Sequence, residues 1–214
     1  MLTSVYHRDT SLVDIRLASS VDGIAWNCIS RDPVLELGGP GDWNGGSIYA
    51  VPSLVKLPDG RVAVPMVGSS WSHNEWWRVK FETHQKWPRG IGWASWQDGR
   101  LSGIKADKQG EFTTHRFVYE GKDLELNLRT GGRSGSVRLE LLVEGEAERP
   151  PLRSRDIVGD HLWVPVQWEG NPALSALAGK TVRLRFQLYN AKVFGFRSEG
   201  MVGLDPQSPP AATK

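Results

Sequence analysis

The sequence predicts an all-β protein with two successive parts, and three observations support that prediction. Ten Trp, 24 Gly and 13 Pro among 214 residues favour short strands joined by tight turns over helices. Apolar residues recur with a period of two in several segments, which is typical of half-buried strands. An Ala-Ser-x-x-Asp-Gly turn occurs twice, with its alanines at Ala18 and Ala94, 76 positions apart. A hairpin that recurs at a long interval indicates a repeat architecture such as the blades of a β-propeller.

The first part is predicted to hold one outer hairpin and one complete blade. Val13, Ile15 and Leu17 alternate with polar residues and indicate a half-buried strand, which the Asp-Gly turn at Gly23 reverses. Four strands are then expected between residues 48 and 104, the last two being the second Asp-Gly hairpin. Such a meander is the unit of a propeller blade.

The number of predicted strands does not suffice for a closed ring. The chain offers about one and a half blades, whereas propellers close with roughly four to eight. Either the missing blades belong to sequence upstream of Met1, or the strands cover their faces and edges in another way. One such way is an oligomer that covers the open propeller edge.

The pattern changes near residue 106, and the remainder is predicted to form an antiparallel β-sandwich with a jelly-roll-like layout. Residues 1–106 are assigned to the partial propeller, 107–200 to the sandwich and 201–214 to a disordered tail. Six or more short alternating segments spaced by turns support the sandwich. They lie at residues 112–119, 124–129, 137–143, 162–168, 182–188 and 192–196.

Composition excludes several classes of function. The net charge is +2 with 26 basic and 24 acidic residues interspersed, so neither nucleic acid nor an anionic membrane surface is an expected partner. The single cysteine, Cys28, cannot form an intrachain disulfide. The chain contains no apolar run long enough to span a bilayer and no signal-peptide pattern, so a soluble chain is expected. No spacing of His, Cys, Asp or Glu indicates a metal site.

The segments 17–26, 41–49 and 96–99 resemble the C-terminal part of the five-bladed-propeller glycoside hydrolases, the group that includes arabinanases, xylosidases, invertases and levansucrases. The resemblance covers roughly residues 12–104, and residues 110–196 are similar in layout to the β-sandwich that often follows such a propeller. It implies a protein that hydrolyses or binds an oligo- or polysaccharide without a cofactor. Enzymes of this group are often secreted.

The resemblance also implies a site at the propeller axis, at the start of each blade's innermost strand. In this chain that place is Trp43-Asn44, where related enzymes usually show Trp-Asp. Asn44 cannot ionise and so cannot act as a nucleophile or base, but it can hydrogen-bond a sugar hydroxyl. Asp42 and Glu75 are the acids nearest to this place and are the candidate catalytic carboxylates. The alternative is that Asp42 caps a turn and Glu75 is solvated.

His73 and Trp76, in the long loop that precedes the second hairpin, are candidate sugar contacts together with Trp43 and Asn44. Aromatic rings stack on the apolar faces of sugars, and a nearby imidazole can address hydroxyl groups. The alternative is that the tryptophans of this loop only pack it onto the blade.

Three functions remain open from the sequence. A glycoside hydrolase needs two carboxylates about 5 to 10 Å apart on either side of the scissile bond. A carbohydrate-binding or protein-interaction module needs only a recognition surface, which the sandwich would provide. A truncated reading frame without independent function is the third interpretation, and an open apolar face would favour it.

Overall fold

The structure is all-β, as the sequence predicts. The computed structural model describes residues 1–20, 22–75, 88–146 and 148–203, in which regular structure consists of strands and two short 3₁₀ turns, Gly132–Ser134 and Leu174–Leu177. The chain divides into two compact units, Met1–Leu101 and Ser102–Lys214. Neither 3₁₀ turn is long and apolar enough to cross a membrane.

The first unit contains one mixed sheet of seven strands. They are β1 (Leu2–Tyr6), β2 (Val13–Ser19), β3 (Asn27–Cys28), β4 (Ser47–Ala50), β5 (Val55–Lys56), β6 (Arg61–Ser69) and β7 (Arg89–Gln97). Their order is β1-β2-β4-β6-β5, with β3 beside β2 and β7 beside β6. Neighbours run antiparallel except β2 and β4, which join in parallel through the pair Val13 and Ser47. The sheet therefore consists of two antiparallel groups joined at one point.

The two Asp-Gly turns have similar glycine conformations, but the strands that follow them pair in different sheets. In both, the glycine adopts a positive φ, 75° at Gly23 and 77° at Gly99, which glycine tolerates without strain. The first turn leads β2 back into β3, where Ala18 pairs with Cys28, so the predicted outer hairpin is present. After Gly99 the next strand, β8 (Ile104–Thr113), pairs within the sheet of the second unit. The predicted second hairpin and fourth blade strand are therefore wrong.

The physical reason is the long strand that β8 finds as its partner. It pairs with β14 (Lys180–Ser198) along its whole length, from Ile104 opposite Val193 to Thr113 opposite Arg185. Ala106 and Phe112 also pack against the core of the second unit. The predicted domain boundary after residue 106 thus falls inside a continuous strand, and the division between the units lies five residues earlier.

The core of the first unit is small and lies around β2, β4 and β6. Its buried apolar side chains among the described residues are Val13, Ile15, Ala18, Ile48, Ala63 and Val64. The sequence predicts that β2 is buried on one face, but Asp14, between Val13 and Ile15, is also buried. Both faces of β2 are therefore covered at this point, and the buried Asp14 carboxylate is contacted by His7 and Arg16.

The second unit contains one antiparallel sheet of eight strands among its described residues. Besides β8 and β14 these are β9 (Phe117–Tyr119), β10 (Leu124–Thr130), β11 (Ser136–Val143), β12 (Leu152–Arg153), β13 (Asp160–Pro165) and β15 (Val202–Gly203). Their order is β12-β11-β14-β10-β13, while β8 and β9 pair with β14 and β15 pairs with β9. The unit is sandwich-like, with strands wrapped around a single apolar core.

The strand β14 organises this sheet because it pairs with four others. Its first half pairs with β11 and its second half with β10, and the change occurs at Asn190, whose φ is 41°. Before Asn190 the buried residues alternate regularly, ending with Phe186 and Leu188, and after it they resume at Ala191 and Val193. The irregularity at Asn190 therefore keeps the apolar side of β14 facing one core. The sequence pattern predicts two separate strands here.

The predicted disordered tail, residues 201–214, is wrong near its start. Residues 202 and 203 form β15, which pairs with Phe117 and Val118 of β9. The remainder of that segment, residues 204–214, lies outside the described residues.

Candidate functional site

Trp43 lies flat on the strands β6 and β7, over a surface made of glycines. A Cβ atom added to Gly68, Gly90 or Gly92 would come within 2.6, 2.8 and 2.7 Å of atoms of the Trp43 ring. Gly68 pairs with Gly90 in register, and Gly92 is two residues further along β7, so all three face the same side of the sheet. One face of this predicted sugar-stacking ring is therefore occupied by backbone.

Asp42 and Asn44 close the glycine-rich loop that carries Trp43. The Gly39 N–H donates to Asp42 Oδ2 at 2.7 Å, and the Gly38 N–H donates to the Asn44 carbonyl oxygen at 3.3 Å. The side chain of Asn44 also lies against Gly38, where a Cβ would be only 2.4 Å from Oδ1. The Asp42 carboxylate thus caps a turn, as the alternative interpretation expects.

The opposite side of the same strands carries a pocket of about 440 Å³. Because side chains alternate along a strand, Tyr49 and Val67 face away from the Trp43 side, and they are paired across β4 and β6. Trp71, His73 and Arg89 complete the walls, together with the small polar residues Ser47, Ser69 and Ser72. The volume lies within the range of about 300 to 1,000 Å³ that is typical of small-molecule sites.

His73 is held in this pocket by contacts with two tyrosines. The Tyr49 hydroxyl oxygen is 2.7 Å from His73 Nδ1, and the Tyr6 ring lies edge-on to the imidazole at a centroid distance of 5.5 Å. The backbone N–H of His73 donates to the carbonyl oxygen of Ser11, and Asn74 Nδ2 donates to the Tyr6 hydroxyl at 2.6 Å. The loop after β6 is therefore tied to the turn between β1 and β2, which fixes the imidazole while leaving it exposed.

Glu75 belongs to the same loop, but its carboxylate is engaged there. Ser72 Oγ donates to Glu75 Oε2 at 2.8 Å, and the Glu75 N–H donates to the carbonyl oxygen of Ser72 at 3.2 Å. Ser72 lines the pocket, so the hydrogen bond to Ser72 connects Glu75 to the pocket. Trp76, the remaining candidate, lies outside the described residues.

Neither predicted carboxylate lines the pocket. Among the described residues, its walls carry hydroxyl, aromatic, imidazole, guanidinium and aliphatic groups without an Asp or Glu side chain. Asp42 lies in the loop on the Trp43 side, and Glu75 is bonded to Ser72. The described part of the pocket thus offers groups for recognition, and it lacks the two flanking carboxylates that glycoside hydrolysis requires.

Asp14 is a buried, paired carboxylate that the sequence pattern does not predict. This carboxylate is only 7% exposed, and it is contacted by His7 Nε2 at 2.9 Å and by Arg16 Nε at 3.3 Å. A buried carboxylate requires such partners, since an unpaired charge is costly away from water. The only signal in the sequence was an Asp between two apolar residues of a predicted strand, a pattern that ordinarily indicates the solvent side. Tyr49 and Tyr6 also went unassigned, because the contacts with His73 join distant parts of the chain.

No cluster of three or more His, Cys, Asp or Glu side chains in the described part of the chain is arranged to hold a metal ion. No protein-family model, curated protein or solved structure matches the chain. The fold defines the chain as a two-unit all-β protein.

Proposed function

We propose that the protein binds a neutral carbohydrate through the pocket formed by Tyr49, Trp71 and His73. The observation that supports this most directly is the 2.7 Å contact between Tyr49 Oη and His73 Nδ1 inside a pocket of about 440 Å³. Aromatic surfaces pack on the C–H faces of sugars, while imidazole and Ser hydroxyl groups both donate to and accept from sugar hydroxyls. The pocket combines both kinds of group.

Binding is a better assignment than hydrolysis. The candidate acids Asp42 and Glu75 are each bonded within a loop, and neither forms a wall of the pocket. A glycosidase places one carboxyl group on each side of the bond that breaks. The described residues support recognition of a sugar without supplying that pair.

We also propose that the first unit is related to the blades of the propeller glycosidases that the sequence resembles. The antiparallel run of β4, β6 and β7 is compatible with the inner strands of a blade. Ile91 and Trp93, on β7 outside the pocket, are 80% and 59% exposed. An apolar surface of this kind is typical of a face that packs on another blade or subunit. Sedimentation equilibrium tests the predicted oligomer, and a strict monomer at every concentration would contradict it.

Calorimetric titration of the full chain with neutral arabino-, xylo- and fructo-oligosaccharides tests the binding proposal. Tyr49→Ala is expected to weaken binding about tenfold, through loss of the ring surface. Tyr49→Phe retains the ring but loses the hydroxyl, and it should weaken binding about three- to tenfold. Trp26→Ala is the matched control, since it removes an exposed aromatic residue of the same unit that does not line the pocket. Equal loss in Trp26→Ala and Tyr49→Ala would contradict the assignment.

A screen on aryl glycosides tests the exclusion of hydrolysis. We expect no turnover above the buffer rate. Turnover that disappears in Glu75→Gln and in Asp42→Asn would overturn the binding-only proposal, because it would show that these acids take part in catalysis.

A further inference from the structure

A second groove, of about 480 Å³, lies on the solvent side of the sheet in the second unit. The residues that line it come mainly from three neighbouring strands, β8, β14 and β11: Gln109, Glu111, Ser136, Arg138, Gln187 and Tyr189. Leu188, between Gln187 and Tyr189, is buried in the core, so its two neighbours point to the opposite side. The groove is therefore built on paired strands rather than on loops.

The strand register arranges these side chains in two rows across the sheet. Gln187 of β14 has Arg138 on one side and Glu111 on the other. Two residues further along, Tyr189 has Ser136 and Gln109 as its neighbours. Opposed side chains on adjacent strands lie about 5 Å apart at Cβ. A single ligand can consequently contact both rows.

The charged groups of the groove already have partners. Arg138 Nε donates to Asp156 Oδ1 at 3.0 Å, and Glu111 Oε1 lies 3.7 Å from Arg185 Nε. An anionic ligand would therefore have to displace Asp156 from Arg138 while approaching Glu111, and a cationic ligand would have to compete with two guanidinium groups. The balance of charge favours a neutral ligand.

The uncharged groups, in contrast, keep their hydrogen-bonding capacity. In the part of the chain that the structure describes, the side chains of Gln109, Gln187 and Tyr189 form no hydrogen bond. An amide both donates and accepts, as does a phenol, which matches the character of an alcohol. Tyr189 is 55% exposed and adds an accessible ring surface.

We propose that this groove is a second binding site, for a neutral ligand rich in hydroxyl groups, of the carbohydrate class. Gln109 and Gln187 hydrogen-bond the hydroxyls, and the Tyr189 ring contacts the apolar face of a sugar ring. The groove lies in a different unit from the Tyr49 pocket. This second proposal therefore does not rest on the function proposed for that pocket. None of its residues is among the candidate site residues predicted from the sequence, although the sandwich as a whole was an alternative recognition surface.

NMR titration of the ¹⁵N-labelled full chain tests the proposal. Neutral cello-, xylo-, arabino- and malto-oligosaccharides are the probes, with oligogalacturonates as the anionic comparison. We expect saturable shifts of the Gln109 and Gln187 side-chain amides with a neutral probe. Tyr189→Ala should weaken that binding about tenfold, and Gln187→Ala about three- to tenfold. Gln167→Ala removes an exposed glutamine outside the groove and should leave the affinity unchanged.

Four other results of this titration would overturn the proposal. Saturable binding of the oligogalacturonates alone would show that the ligand class is wrong. Neutral binding that is unaffected by Tyr189→Ala and Gln187→Ala would show that the sugar binds elsewhere, and binding lost only in Tyr49→Ala would assign it to the first unit. Absence of saturable shifts with every probe would remove the site. The exposed position of Tyr189 allows the variant to fold, which the dispersion of its spectrum checks directly.

Discussion

The ring of Trp43 lies so close to Gly68 that a methyl group on residue 68 would come within 2.6 Å of Cζ3. We therefore expect Gly68→Ala to displace the ring and lower the free energy of unfolding of the first unit by about 1 to 3 kcal/mol. Urea unfolding followed by tryptophan fluorescence measures this change. Gly39→Ala is the control, because its added Cβ meets only Asp42 Oδ2, at 3.4 Å. An equal loss in both variants would show that the ring contact is unimportant.

The Asp22 carboxylate stabilises the first Asp-Gly turn. Hydrogen bonds from the Ile24 and Ala25 N–H groups, and then from Ser20, hold the pKa of Asp22 below its ordinary value of 3.8. The pKa is lower in the folded chain, so this stabilisation is present above pH 3.8 and is lost as the pH falls through the folded pKa. Asp22→Ala should speed amide exchange at residues 24 and 25 at neutral pH. Asp98→Ala, at the other Asp-Gly turn, should leave those two amides protected.

Tyr119 should make the second unit sensitive to alkali. Burial, and then the negative charge of Asp123, raises the pKa of Tyr119 to about 12 from 10.0. The folded pKa is raised, so the contribution is complete below pH 10 and is lost as the pH rises toward 12. Between pH 10 and pH 12 the free energy of unfolding of the second unit should fall by roughly 2 kcal/mol. Tyr119→Phe should flatten the pH dependence of the melting temperature in this window, whereas Tyr189→Phe, at an exposed position, should not.

Glu140 is the centre of an ion-pair network on the second sheet. It is only 5% exposed, and its two oxygens accept from Arg153 Nε and Arg185 Nη1, each at 3.0 Å. Glu140→Gln keeps the shape but loses the charge, and because both arginines are partly exposed we expect a loss of about 1 to 2 kcal/mol in unfolding free energy. Glu125→Gln, in the more exposed pair with Arg197, should cost less than about 1 kcal/mol. A larger loss in Glu125→Gln than in Glu140→Gln, measured by chemical unfolding, would show that burial does not strengthen the Glu140 network.

The sequence predicted the structure well where local pattern decides it. The Asp-Gly turn that joins β2 to β3 is such a case, because Gly23 and the hydrogen bonds of Asp22 act within a few residues. The alternation that ends at Phe186 and Leu188 is another, since a strand with one buried face repeats every two residues. The all-β class follows from many such segments.

The parts that could not be predicted depend on contacts between distant residues. The second Asp-Gly turn has the same local sequence as the first, yet the strand after it joins another sheet because β14 is its partner. The irregularity at Asn190 shifts the alternation by one residue, which made one long strand look like two. The burial of Asp14 likewise depends on His7 and Arg16.

The candidate site was predicted in part. The sequence pointed to His73 through its loop, but the pairing with Tyr49 joins residues 24 positions apart. Trp43 was expected to face a ligand, and the glycines that receive its ring were the missed signal. Gly68, Gly90 and Gly92 have a joint meaning only when β6 and β7 are known to be neighbours.

The position of β14 in the chain has a consequence for biosynthesis. This strand begins at Lys180, after β8 to β13 have been made, and it pairs with β8, β9, β10 and β11. Until residues 180–198 leave the ribosome, those four strands lack their common partner and present unpaired edges. The second unit should therefore fold late, after its last long strand has emerged, and depend on protection from aggregation until then.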